Sequence, residues 1–179
     1  MNKKEIQAQV TDLLSSGVPK SEVFAKLSGQ GVKDSQLAHF IASYADPFRC
    51  DTHDGKINIL ITIMFIQALF AALLGFGIGA KIGPNAKWIT PLLIAAIPLL
   101  FAWGFYKYRA WAFNAYILLS IVQLPRSLEG FTSSPIATSI GFAISVGMFA
   151  YVWYVREKIF PDFAFITPKK TKGKYIFGS

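Results

Sequence analysis

Four stretches of the chain contain no charged residue and are separated by short charged segments. They cover residues 57–80, 88–106, 110–125 and 130–155, which are 24, 19, 16 and 26 residues long. A helix needs about 20 apolar residues to cross the roughly 30 Å hydrocarbon core of a bilayer. Inside lipid, a helix also satisfies its own backbone N–H and C=O groups. The pattern therefore predicts an all-α fold with a four-helix polytopic membrane bundle at residues 57–155.

The third stretch is the shortest, and its interpretation depends on the segment before it. As one helix, residues 88–124 would be about 55 Å long at 1.5 Å per residue, which is too long for a single crossing. We therefore expect a tight hairpin at residues 106–109. Arg109 and Arg126 can then extend from the two ends of a short third span toward the membrane surfaces.

Residues 1–46 have a different apolar pattern, which predicts a small three-helix module. Ile6, Val10 and Leu14 recur at helical spacing, and glycines separate this segment from two further helical patterns. The predicted core consists of Leu13, Leu14, Phe24, Leu27, Leu37 and Ile41. Over about 40 residues, the arrangement resembles a UBA-like or helix-turn-helix bundle in general architecture, without a family motif.

Nucleic-acid binding by this module is disfavoured by its charge. Ala25 and Gly29 have helix-turn-helix spacing, but Ser35 stands where that motif needs an apolar residue. The module contains five lysines and five acidic residues, whereas nucleic-acid affinity depends on an excess of cations that neutralise phosphates. We interpret residues 1–46 as a docking or structural module that binds no nucleic acid.

Residues 47–56 contain the cluster most similar to a metal site, namely Cys50, Asp51, His53 and Asp54. Structural zinc sites use four Cys or His ligands at regular spacing, and only His39 lies elsewhere to assist. We expect a solvated juxtamembrane linker, with no metal and no cofactor. The chain has one cysteine, so an intrachain disulfide is impossible.

The C-terminal segment, residues 156–179, is basic and aromatic. Phe163 and Phe165 alternate with smaller residues, and the pattern resumes after a turn that contains Gly173, which predicts a β-hairpin. Four lysines could contact anionic lipid, each worth about 1 kcal/mol near the surface. They are Lys169, Lys170, Lys172 and Lys174.

The third membrane stretch carries polar residues on one helical face, at i, i+4, i+7 and i+11. They are Tyr116, Ser120, Gln123 and Ser127. Polar groups inside a membrane are candidates for function. They also form ordinary hydrogen bonds between helices, worth about 0.6 kcal/mol on average. Because the face contains no charge, we favour the structural interpretation and keep the functional one open.

Small residues recur on two other membrane helices and predict close helix packing. The first set is Gly75, Gly79 and Gly83, and the second is Ala137, Gly141 and Ser145. For the first set we favour packing within the chain, with homo-oligomer formation as the alternative; the second set is another packing seam.

The distribution of basic residues predicts the orientation. With four spans, 15 Lys and Arg residues lie on the side of the termini and 3 on the opposite side. The positive-inside rule then places both termini in the cytoplasm. The net charge of +8 thus reports topology and contact with anionic lipid. Short loops favour a bacterial inner membrane.

The membrane stretches contain no His, Asp, Glu or Cys, which disfavours an enzyme. The sequence favours a small integral membrane protein that binds a partner protein, in an accessory, assembly or immunity-type role. One alternative is an oligomeric channel or small transporter that uses the polar face of the third helix. A second alternative is a membrane-bound enzyme with a site at the cytoplasmic rim, built for example on Cys50 and His53.

Overall fold

A computed structural model of the chain describes residues 2–128, 131 and 134–178. Within these residues the chain is mostly helical, with one short two-stranded sheet. The helices are α1 (Lys3–Ser15), α2 (Lys20–Leu27), α3 (Asp34–Ala42), α4 (Pro47–Ile82), α5 (Ala86–Tyr106), α6 (Ala110–Gln123) and α7 (Pro135–Ile159), with a 3₁₀ turn at Arg126–Leu128. The strands are β1 (Lys170–Thr171) and β2 (Lys174–Tyr175).

The chain divides into two compact units, each formed mainly by contacts within itself. The first unit combines Met1–Cys50 with Arg156–Ser179, and the second comprises Asp51–Val155. The apolar pattern of the sequence predicts the N-terminal module and the C-terminal tail as separate segments. In the structure they belong to one unit, which we call the terminal module.

The core of the terminal module is apolar and drawn from its first three helices. The side chains of Ile6, Val10, Leu14, Val23, Leu27, Leu37 and Ile41 form it, each at most 8% exposed. The predicted three helices are confirmed, and Leu13 and Phe24 pack against the core half-buried. Phe177 from the C-terminal tail packs there as well.

The predicted hairpin in the tail is confirmed, with shorter strands than expected. Lys170 pairs with Tyr175, and Thr171 pairs with Lys174. Lys172 and Gly173 between them both have positive φ, at 50° and 81°, which is the backbone of a two-residue turn that matches strand twist.

Residues 47–56, which we expected to form a solvated linker, are the helical first part of α4, and most of them are exposed. Asp46 accepts a hydrogen bond from the N–H of Phe48 at 2.9 Å, as an N-cap residue does. Pro47 occupies the first helical position, where a missing N–H costs nothing. The Asp46-Pro47 pair therefore begins a helix here.

The second unit contains three helices that are long and apolar enough to cross a membrane. They are α4, α5 and α7, whose most apolar windows have mean hydropathies of 2.5, 1.9 and 1.6. The fourth predicted span corresponds to α6, which has 14 residues and is about 21 Å long. The structure thus supports three membrane spans and does not confirm the predicted four-helix bundle.

The hairpin that joins α5 and α6 is tight, as predicted. The N–H of Arg109 donates to the Gly104 carbonyl at 2.9 Å, which closes the turn. A Cβ on Gly104 would collide with the Cβ of Ala112, so the helices approach closely there. The rings of Phe105 and Phe113 lie 4.6 Å apart across the hairpin.

Candidate functional site

The second unit contains a cleft of about 700 Å³, and all four members of the predicted polar face line it. We call it the α6 cleft. Its polar lining comprises Tyr116, Ser120, Gln123 and Ser127 with Gln67, Arg126 and Ser145. Its apolar walls include Ile94, Ile97, Pro98 and Phe101 of α5, and Ile144 and Met148 of α7. The polar face therefore borders an open space.

The polar groups at the α4 side of the cleft lie near one another. Gln67 of α4 lines the cleft with Tyr116 and Ser120 of α6, and Gln67 and Ser120 are the hydrogen-bonding neighbours of the Tyr116 side chain. The ring of Tyr116 meets the ring of Phe101 edge-on, with centroids 5.3 Å apart. Interhelical polar contacts of this kind are the structural role that the sequence favoured.

The polar groups at the C-terminal end of α6 differ from those at the α4 side in their hydrogen bonding. The Ser127 hydroxyl donates to the Leu124 carbonyl at 2.7 Å. Gln123 and Arg126 have no hydrogen-bond or ion-pair partner among the residues that the structure describes, which leave out Glu129. Both are exposed and line the cleft. Sequence periodicity found Gln123 but missed Arg126, since it lies beyond Pro125 and off the stripe.

The first small-residue set allows α4 and α5 to pack closely. A Cβ on Gly75 would lie 2.7 Å from the Cα of Pro91. A Cβ on Gly79 would collide with the Ala86 carbonyl oxygen and lie 2.9 Å from the Cα of Lys87. Gly83 lies in the following turn, with open space beside it.

The second small-residue set is open among the residues that the structure describes. Ala137, Gly141 and Ser145 are all exposed, and a Cβ on Gly141 would meet no atom within 4 Å. The predicted packing on this face of α7 stays a prediction. The structure leaves that face pointing outward from the second unit.

A second concave surface lies in the terminal module, and we call it the docking groove. Its volume is about 610 Å³. Leu14, Val18 and Phe48 supply apolar surface, and Lys20, Asp46 and Arg49 supply charges of both signs. Phe48 is 78% exposed, so its ring offers accessible apolar surface at the groove.

The remaining candidates are placed as follows. The four tail lysines are all exposed on and around the hairpin, and Lys170 lies 4.4 Å from the Tyr175 ring centre. Cys50 is buried. Among the described residues, no group of three or more His, Cys, Asp or Glu side chains is arranged to hold a metal ion.

The three long apolar helices are compatible with an integral membrane protein, and that is the class that the fold supports. Comparisons of the chain with protein-family models, curated proteins and solved structures find no match.

Proposed function

We propose that this chain is a four-span integral membrane protein of a bacterial inner membrane that binds a partner protein through its terminal module. The observation that carries the proposal is the joining of both chain ends in one folded unit. Lys20 of α2 pairs with Asp162 of the tail at 2.6 Å. Phe24 contacts the rings of Tyr175 and Phe177, with centroids 5.4 and 5.6 Å apart.

This joining supports an even number of crossings, because a unit built from both ends needs both ends on one side of the membrane. Three crossings by the long helices alone would place the two chain ends on opposite sides of the membrane. The backbone angles of Leu124 stay helical after α6, and the following 3₁₀ turn continues the segment through Leu128. Residues 110–128 then extend about 30 Å, which is enough to cross. The 15-to-3 division of basic residues favours a cytoplasmic module.

The docking groove supports a protein partner as the occupant. Interfaces between proteins combine an apolar centre with a polar rim, and the groove has this composition. Charges of both signs at the rim fit a polypeptide segment better than an anion. We expect an apolar side chain of the partner to insert beside Phe48.

Photo-crosslinking tests this site in native membranes of cells that express the full chain. A photoreactive amino acid at Ser21, which lines the groove, should crosslink to one defined protein. The same amino acid at Gln7, an exposed position of α1 outside the groove, should not. Phe48→Glu should abolish the Ser21 adduct, whereas Ala25→Glu, with the same added charge on α2, should preserve it. Equal crosslinking at Ser21 and Gln7, or adducts with lipid alone, would refute the site.

Anionic lipid is a second proposed partner, at the four exposed tail lysines. In nanodiscs, amide exchange at residues 169–174 should be slower with phosphatidylglycerol than with phosphatidylcholine. Equal exchange rates would argue against this contact.

A channel or small transporter is the second candidate function, and the α6 cleft is the observation that favours it. A permeation path needs its polar lining, so Gln123→Leu or Ser120→Ala would then change solute flux in liposomes. The partner proposal expects no saturable flux. Flux that depends on Gln123 would decide for the transporter.

A further inference from the structure

We propose that the α6 cleft binds one anionic phospholipid, with its phosphate group at Gln123 and Arg126 and an acyl chain along the apolar walls. This inference goes beyond partner binding and depends on residues of the second unit alone.

Hydrogen-bond donors are grouped at one end of the cleft. Gln123 and Arg126 are exposed, line the cleft, and have no hydrogen-bond or ion-pair partner among the residues that the structure describes, which leave out Glu129. An Arg guanidinium and a carboxamide both donate hydrogen bonds, and Arg matches the geometry of phosphate oxygens. This end of the cleft therefore offers a positive charge and several donors to an anionic group.

Apolar surface lines the cleft beyond the end at which Gln123 and Arg126 lie. Ile94, Ile97 and Phe101 of α5 face Ile144 and Met148 of α7 across the cleft. From Tyr116 to Ser127, the cleft follows α6 for about 16 Å. A free anion or a small polar solute leaves this surface unused, whereas an acyl chain covers it. Ligand sites commonly combine apolar walls with a few placed polar groups, in a volume of about 300–1,000 Å³.

The cleft is open at the edge formed by α7. Ile144 lines the cleft and is 60% exposed, so an acyl chain can reach the apolar walls from this edge.

The test uses the full-length protein purified in detergent, to which phosphatidylglycerol is added. Native mass spectrometry then counts the lipids that stay bound. We expect one retained lipid per chain when Lys169, Lys170, Lys172 and Lys174 are replaced by Gln, which removes the proposed lipid contact of the tail. A charge-assisted hydrogen bond contributes about 1.5–3 kcal/mol, so Arg126→Gln should weaken retention at least tenfold. Gln123→Leu should weaken it by a smaller factor.

Arg109→Gln is the matched control, since Arg109 precedes the opposite end of α6 and does not line the cleft. It should retain lipid as the wild type does. A photoreactive acyl chain should crosslink to α5 and α7 at the cleft walls. Inorganic phosphate should not compete at millimolar concentration, because it lacks the chain.

Three results would overturn the proposal. They are the absence of retained lipid in the wild type, equal losses in Arg126→Gln and Arg109→Gln, and crosslinks that lie outside the cleft. Circular dichroism and a single elution peak for each variant separate a lost site from a lost fold. Partner crosslinking at Ser21 is measured independently, so the two proposals can fail separately.

Discussion

Lys20 and Asp162, which are 142 positions apart in the sequence, form an ion pair with 2.6 Å between Nζ and Oδ2. Asp162 is buried, and its second carboxylate oxygen accepts the N–H of Gly178 at 2.6 Å. One carboxylate thus connects α2, the end of α7 and the C-terminus. This contact fixes the tail to the terminal module.

The first prediction concerns the strength of this pair. Breaking a buried ion pair leaves the other charge uncompensated and costs about 3–5 kcal/mol. Asp162→Asn should therefore raise amide exchange across α2 and the hairpin of the full-length protein. Glu22→Gln, an exposed carboxylate on α2, should leave exchange unchanged. In a double-mutant cycle with Lys20→Met, we expect coupling of about 0.5–3 kcal/mol, and additive effects would show that the two residues do not interact.

The second prediction concerns the pH dependence of the module. Burial, and secondarily the charge of Lys3, lower the pKa of His39 below its ordinary value of 6.5. The unfolded chain then binds a proton more readily than the folded module. The stability contribution is fully present above pH 6.5 and is lost as the pH falls toward the folded pKa.

Amide exchange of α3 between pH 7.5 and 5.5, corrected for intrinsic rates, measures this effect. Protection should decline on acidification in the wild type. The decline should be absent in His39→Gln and preserved in His53→Gln, which removes the other histidine. A decline that persists in His39→Gln would assign the pH dependence to a different group.

The third prediction compares two glycines of the membrane unit. A methyl group at Gly79 would collide with the backbone of Ala86 and Lys87, and overpacking of this kind costs about 1–3 kcal/mol. A methyl group at Gly141 meets open space. Gly79→Ala should therefore lower the thermal midpoint in detergent by several degrees, whereas Gly141→Ala should leave it within error. If Gly141→Ala is equally destabilising, its face of α7 is packed.

Local patterns in the sequence predicted much of the fold. Ile6, Val10 and Leu14 recur at helical spacing in α1, as Leu37 and Ile41 do in α3, because one face of each short helix must be buried. The turn at Lys172 and Gly173 was also predictable from local chemistry. These features depend on residues within a few positions of one another.

The parts that the sequence missed depend on distant or ambiguous signals. Neither Lys20 nor Asp162 carries a local mark of its partner, so the assignment of the tail to the module needed the structure. Asp46-Pro47 fits both a helix end and a helix start, and capping by the Asp46 side chain decides for the start. The polar face of α6 could be predicted from the sequence. Its position beside a cleft could not, because the cleft depends on where α5 and α7 lie.

The central claim, that both chain ends form one module on one side of the membrane, is tested most directly by cysteine labelling. In a Cys50→Ala background, single cysteines replace Gln9, Thr171 or Asn85, all of which are exposed. Membrane vesicles of known orientation are treated with a membrane-impermeant maleimide. We predict that positions 9 and 171 are labelled from the cytoplasmic face and that position 85, between α4 and α5, is labelled from the opposite face. Labelling of positions 9 and 171 from opposite faces would contradict the account.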